Sequence, residues 1–146
     1  MMKPKQYRDT PVDVKLVLCA LWVAVLFVFA YVDIFGFYRA DVLDAALDGR
    51  MANTAFTVDQ VFLTSTLIYL LPPILMVVLT LLLAPRVSRT ANTVVSVLYL
   101  ITIIVSCVGE TWVYYLLGSL VEVVLLVVIA STAWKWPPPT VVRTLP

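Results

Sequence analysis

A chain of 146 residues that is 62% apolar, with a mean hydropathy of +1.02, carries more apolar surface than a water-soluble domain of its size can cover, so lipid is its expected solvent. A net charge of +1 offers no electrostatic footprint for nucleic acid. Histidine is absent, which excludes histidine-ligated haem, most zinc hydrolase chemistry and any Ser–His or Cys–His nucleophile. No catalytic group, metal site or cofactor is therefore expected, and the chain does not read as an enzyme. Its two cysteines, Cys19 and Cys107, form no CxxC pair. Placed on their helices they fall on opposite sides of the midplane, too far apart for a disulfide within one subunit.

The residue pattern predicts an all-α membrane protein: one domain of four transmembrane helices in an antiparallel bundle, with spans at about 12–33, 58–84, 89–109 and 112–136. A polar tail, residues 1–10, precedes the first span. Thr10 is placed as N-cap, Pro11 at the first helical position and Asp13 against the positive helix end. Residues 16–32 then run without a charge, and Lys15 is expected to snorkel.

Residues 33–57 form the one long connection. Within it, residues 39–48 suit a short amphipathic helix ended by Gly49, with Val42, Leu43, Ala46 and Leu47 on one face and Asp44 and Asp48 on another. It is too short to span, and can lie flat on the membrane surface or cover the bundle as a lid. Thr57-Val58-Asp59-Gln60 matches a capping box for the second span, with Phe56 and Val61 as its hydrophobic staple. Pro72-Pro73 sits near the centre of that span and is expected to kink it, either for packing or to build a site.

Residues 85–89 read as a tight basic turn. The third span carries a polar stripe, Asn92, Ser96, Tyr99, Ser106 and Glu110, at helical spacing, and this stripe should turn inward. In the fourth span the only charge is Glu122, between Trp112 at one end and Trp134 and Trp136 at the other, the positions of interfacial aromatic belts. Gly118 and Ser119 share its face and allow close helix approach. The tail, residues 137–146, opens on three prolines and should be extended.

Glu122, Tyr99, Tyr69, Ser119 and Ser96 form the candidate intramembrane polar site, with Pro72 and Pro73 as its kink. A charge facing lipid costs on the order of 3 kcal/mol or more, so Glu122 should face the bundle or a partner. No intramembrane lysine or arginine can neutralise it, so a protonated acid that donates to Tyr69, Tyr99 or a backbone carbonyl is expected. Such an acid can be a working group or simply glue between helices. Asp33, Asp59 and Glu110 are placed on the acidic outer face.

The side assignment follows from the basic residues. Lys3, Lys5, Arg8, Lys15, Arg86, Arg89, Lys135 and Arg143 lie on the side of the two termini and only Arg39 and Arg50 on the other, which puts both termini in the cytoplasm.

The runs Asp33-Ile34-Phe35-Gly36-Phe37-Tyr38, Gly109-Glu110-Thr111-Trp112-Val113-Tyr114-Tyr115 and Tyr7-Arg8-Asp9-Thr10-Pro11 resemble a family of small uncharacterised bacterial four-span membrane proteins. The likeness covers nearly the whole chain. It implies a multi-pass protein of the bacterial plasma (inner) membrane and says nothing of activity. Two functions fit these observations. One is an accessory or structural subunit that forms a homo-oligomer or joins a larger membrane complex. The other is a small oligomeric transporter or channel with Glu122 as its protonatable site.

Overall fold

The computed structural model describes residues 11–52, 54 and 56–136. The expected Thr10 cap, the polar tail before it and the proline-rich tail after Trp136 lie outside the described residues. Five helices follow in order: α1 (Val14–Gly36), α2 (Ala40–Leu47), α3 (Gln60–Leu82), α4 (Pro85–Ser106) and α5 (Val113–Trp134). All except α2 are long and apolar enough to cross a bilayer. They form a ring in which α1 packs on α3 and α5, and α4 packs on the same two helices. Neighbours are antiparallel. The first turn of α1 meets the last turn of α3, where Lys15 Nζ donates to the Leu81 and Leu83 carbonyls at 3.0 and 2.7 Å. Lys15 is thus a C-cap for α3, satisfying carbonyls the helix leaves open, where snorkelling was expected.

The helix ends differ from the expected ones for local reasons. Helix α1 begins after Asp13, whose carboxylate accepts from the Lys15 N–H at 2.8 Å, and it continues through Gly36. Asp33 is consequently a helical residue, one turn from the end. Helix α3 is capped by Asp59, which accepts from the Phe62 N–H at 2.8 Å. Thr57, the expected cap, is instead bridged to Arg50 across a small loop, and Phe56 stacks toward Phe62 at 6.5 Å rather than on Val61. The basic stretch at residues 85–89 is the first turn of α4, because Pro85 occupies the first helical position, where its missing N–H costs nothing. The turn between α3 and α4 is therefore only Leu83 and Ala84. The α4–α5 connection is longer than expected, and Gly109 supplies the left-handed conformation it requires, at φ 86°.

Helix α2 has the amphipathic pattern expected of it, and Gly49 ends it at φ 69°. No residue of α2 is buried, and Leu43 and Leu47 remain exposed. It does not cover the bundle. Its apolar face is free for a membrane surface.

Packing is uneven along the bundle axis. At the end formed by the start of α1 and the end of α5, Leu18, Trp22, Val25, Met76, Leu126, Ile129 and Ala133 close into a buried core. Asn92, Ser96 and Tyr99 of the expected α4 stripe turn inward and are buried, joined by Ser88, whereas Ser106 is exposed and Glu110 lies beyond the helix. Trp22 reaches across the ring to α4, donating from Nε1 to Asn92 Oδ1 at 2.7 Å. Thr80 of α3 donates to the same oxygen at 3.2 Å. Asn92 Nδ2 in turn donates to the Ser88 carbonyl at 2.8 Å, and Ser88 Oγ to the Thr80 carbonyl at 3.1 Å. Three helices meet in one satisfied polar knot whose side chains are fully buried. At the other end, toward α2, the helices enclose a cavity.

Candidate functional site

Tyr69 and the proline pair set the middle of the bundle. A proline at position 73 has no N–H to give the carbonyl of Tyr69, four residues earlier. Helix α3 nevertheless runs unbroken through Pro72 and Pro73, and the Tyr99 hydroxyl of α4 donates to the Tyr69 carbonyl in place of the missing bond. The Tyr69 hydroxyl pairs with Thr102 Oγ1 at 2.7 Å, and the two tyrosine rings lie 5.0 Å apart. Both expected tyrosines are therefore engaged with each other and with Thr102. Neither bonds Glu122, contrary to expectation.

Above this junction lies a cavity of about 450 Å³, bounded by all four long helices. Glu122 and Ser119 of α5 are its buried floor, only 4% and 3% exposed. Asp33 of α1, Thr66 of α3 and Ser106 of α4 line it and are exposed, so they mark a rim on the α2 side. Phe29, Tyr69 and Tyr115 supply aromatic wall, and Val32, Leu70 and Ile103 aliphatic wall. No basic side chain lines it.

Among the described residues nothing hydrogen-bonds or ion-pairs with Glu122. Every fully enclosed side-chain nitrogen or oxygen described does have a partner, so the Glu122 carboxyl must touch the cavity rather than packed protein. A buried carboxyl in a cavity roomy enough for several waters is satisfied by whatever fills that space.

The other expected site residues fall elsewhere. Ser96 is buried in the packed half and donates to the Thr93 carbonyl of its own helix, at 3.1 Å, so it does not reach the cavity. Asp59 is a helix cap. Glu110 lies in a separate cluster at the α2 end. Its Oε1 accepts from the Thr111 and Trp112 N–H groups at 2.8 and 3.0 Å, and its Oε2 faces Arg39 Nη1 at 3.4 Å. Arg39 forks onto Asp41 at 2.6 and 3.1 Å and lies 4.4 Å over the Trp112 ring. The Trp112 N–H, then the Thr111 N–H and the Arg39 charge, hold the Glu110 carboxyl below its ordinary range. Asp41 is held down first by its Arg39 hydrogen bond, and Arg39 is pushed up by the same bond. Glu110 is thus a structural anchor tying the start of α5 to α2, not a freely solvated acid.

Ser106, from the inward stripe, does line the cavity, as does Thr102 beside it, whereas Asp33, Thr66 and Tyr115 were missed as cavity residues. The signal for Asp33 was helical spacing: Leu18, Trp22, Val25, Phe29 and Asp33 step by four, three, four and four along one face. Assigning Asp33 to the outer acidic face, at the start of the 33–57 connection, hid it. Tyr115, Ser119 and Glu122 follow the same rule on α5.

The fold defines a class: small helical bundles with four helices long and apolar enough to cross a membrane. Within that class the chain belongs to DUF6326, a family of unknown function, whose sequence profile matches residues 9–142. No curated protein matches the chain, and no solved structure does.

Proposed function

We propose that this is a multi-pass protein of the bacterial plasma membrane whose working group is Glu122, a carboxyl that takes up and releases a proton through the cavity. The observation that carries this reading is a 96%-buried acid, the complement of its 4% exposure, that bonds no described side chain and borders an open polar space. An acid used only as glue would spend its oxygens on a neighbouring helix. This observation favours the transporter or channel reading over that of an accessory subunit. The exposed lining residues Asp33, Thr66 and Ser106 lie toward α2 and the buried Trp22–Asn92–Thr80 knot lies at the other end, which supports proton exchange from the α2 side.

The deciding measurement is infrared spectroscopy of the protein in reconstituted membranes, comparing wild type with Glu122→Gln. The expected result is a protonated-carboxyl band that fades reversibly somewhere across about pH 4–9, the span of ordinary and burial-shifted carboxyls. That band should be missing in the Gln variant, whose fold persists because size and shape are kept. A wild-type spectrum without a titrating Glu122 component returns the residue to a structural role.

Both termini are placed in the cytoplasm and residues 39–56 outside, which is supported by the eight-to-two division of basic residues. In a background lacking Cys19 and Cys107, a cysteine at the exposed Asp44 should react with an impermeant thiol reagent on intact cells, while one at the exposed Ala84 in the α3–α4 turn should not. The opposite pattern reverses the orientation.

A further inference from the structure

The cavity holds a second carboxyl besides Glu122, and its walls are of a kind that a proton site does not need. Asp33 stands at the rim and Glu122 at the floor. Two like charges with no basic side chain between them leave a region of negative potential focused by apolar walls. An anion finds no basic side chain here to hold it. A cation finds two carboxyls.

Its size and lining say which kind. A dehydrated inorganic ion needs a tight shell of about six or more oxygen ligands when it is hard and divalent. Among the described residues no group of three or more acidic, cysteine or histidine side chains is arranged to hold a metal. The space of about 450 Å³ is also many times that of one ion, and falls in the range of pockets for small organic molecules. Aromatic rings line two sides, Tyr69 of α3 and Tyr115 of α5, a residue type that attracts positive charge. Val32, Leu70 and Ile103 offer aliphatic surface to alkyl groups.

We infer that the cavity is a binding site for a small organic cation, an alkylammonium whose charge lies between Glu122 and Asp33 and whose alkyl groups pack on the tyrosine and aliphatic walls. This rests on the reading of Glu122 as an accessible carboxyl and adds the ligand that competes with its proton. Binding is an exchange: the cation enters, and a protonated Glu122 gives its proton to water, so charge in the cavity is conserved.

The test uses the full chain in lipid nanodiscs with tetraethylammonium chloride as the probe and sodium chloride at equal ionic strength as the control, read by titration calorimetry. The expected result is saturable tetraethylammonium binding that sodium does not displace. It should weaken roughly tenfold or more in Glu122→Gln and again in Asp33→Asn, since each removes one charged partner. Unchanged helical circular dichroism and elution volume show that the variants are folded. No saturable binding, equal displacement by sodium, or affinity untouched by both substitutions would overturn the inference. Infrared difference spectra of the same samples separate the two levels. A Glu122 band that responds to pH but not to tetraethylammonium overturns the organic-cation site and leaves the proton site standing. A band that responds to neither overturns both. Loss of the protonated band on adding tetraethylammonium at fixed pH supports both.

Discussion

Asn92→Leu is expected to lower the unfolding midpoint of the protein in mixed micelles by the equivalent of about 1–3 kcal/mol. The substitution keeps apolar bulk and helix propensity, so the loss comes from hydrogen bonding. It leaves the Trp22 Nε1–H and the Thr80 hydroxyl, both fully buried, without the oxygen they share. Interhelical hydrogen bonds in membranes average only about 0.6 kcal/mol, because the unfolded helices find other partners. Two donors stranded in a dry core raise the cost above that average. Trp22→Phe removes one of the donors. In the Asn92→Leu background it should therefore cost clearly less than it does alone, so the double variant is more stable than the sum of the singles predicts. Strict additivity would mean that the knot is not a coupled unit.

The second large effect is expected at Gly118. A methyl group placed there would overlap Cγ2 of Val32 on α1, well inside any tolerable separation. Valine is held to one rotamer in a helix, so its methyl cannot swing away cheaply. Gly118→Ala gains roughly 1 kcal/mol of helix propensity. Overpacking costs roughly 1–3 kcal/mol, so the net change is expected to be destabilising, and Gly118→Leu should be worse. With Val32→Ala in place the obstruction is gone, and Gly118→Ala should then stabilise the protein through propensity alone. The reversal of sign, read from thermal unfolding in detergent, is the diagnostic. A destabilisation that persists unchanged in the Val32→Ala background would place the clash elsewhere.

Why the bundle could be read from residues and the cavity could not comes down to range. Length, apolar runs and capping residues act within one helix, so four long helices, the inward stripe of α4 and the end of α2 at Gly49 were all legible. Helix ends moved by up to a turn because apolarity does not mark them. Pro85 begins α4 ahead of the basic residues, and α1 carries Asp33 into the bundle where a charge suggested a loop. Glu122 announced itself as a lone acid in an apolar span. The second cavity carboxyl did not, because bringing Asp33 and Glu122 to one cavity depends on which helices are neighbours in the ring. Trp22 was hidden for a different reason. A tryptophan in an apolar run looks like bulk, and only the structure shows its N–H reaching Asn92 on the opposite helix.

The bond from the Tyr99 hydroxyl to the Tyr69 carbonyl has a mechanical result. A carbonyl inside an ordinary helix is committed to its own backbone, and neighbouring helices can slide or roll past it. Pro73 releases this one, and α4 takes it up, one turn of α4 from where Thr102 holds the Tyr69 side chain. With a linker of only Leu83 and Ala84 at the far end, α3 and α4 are clamped at two levels along their length. At the closed end the same pair is tied to α1 twice more, through Lys15 to the Leu83 carbonyl and Trp22 to Asn92, so polar bonds rather than apolar packing alone fix how α3 and α4 sit on α1.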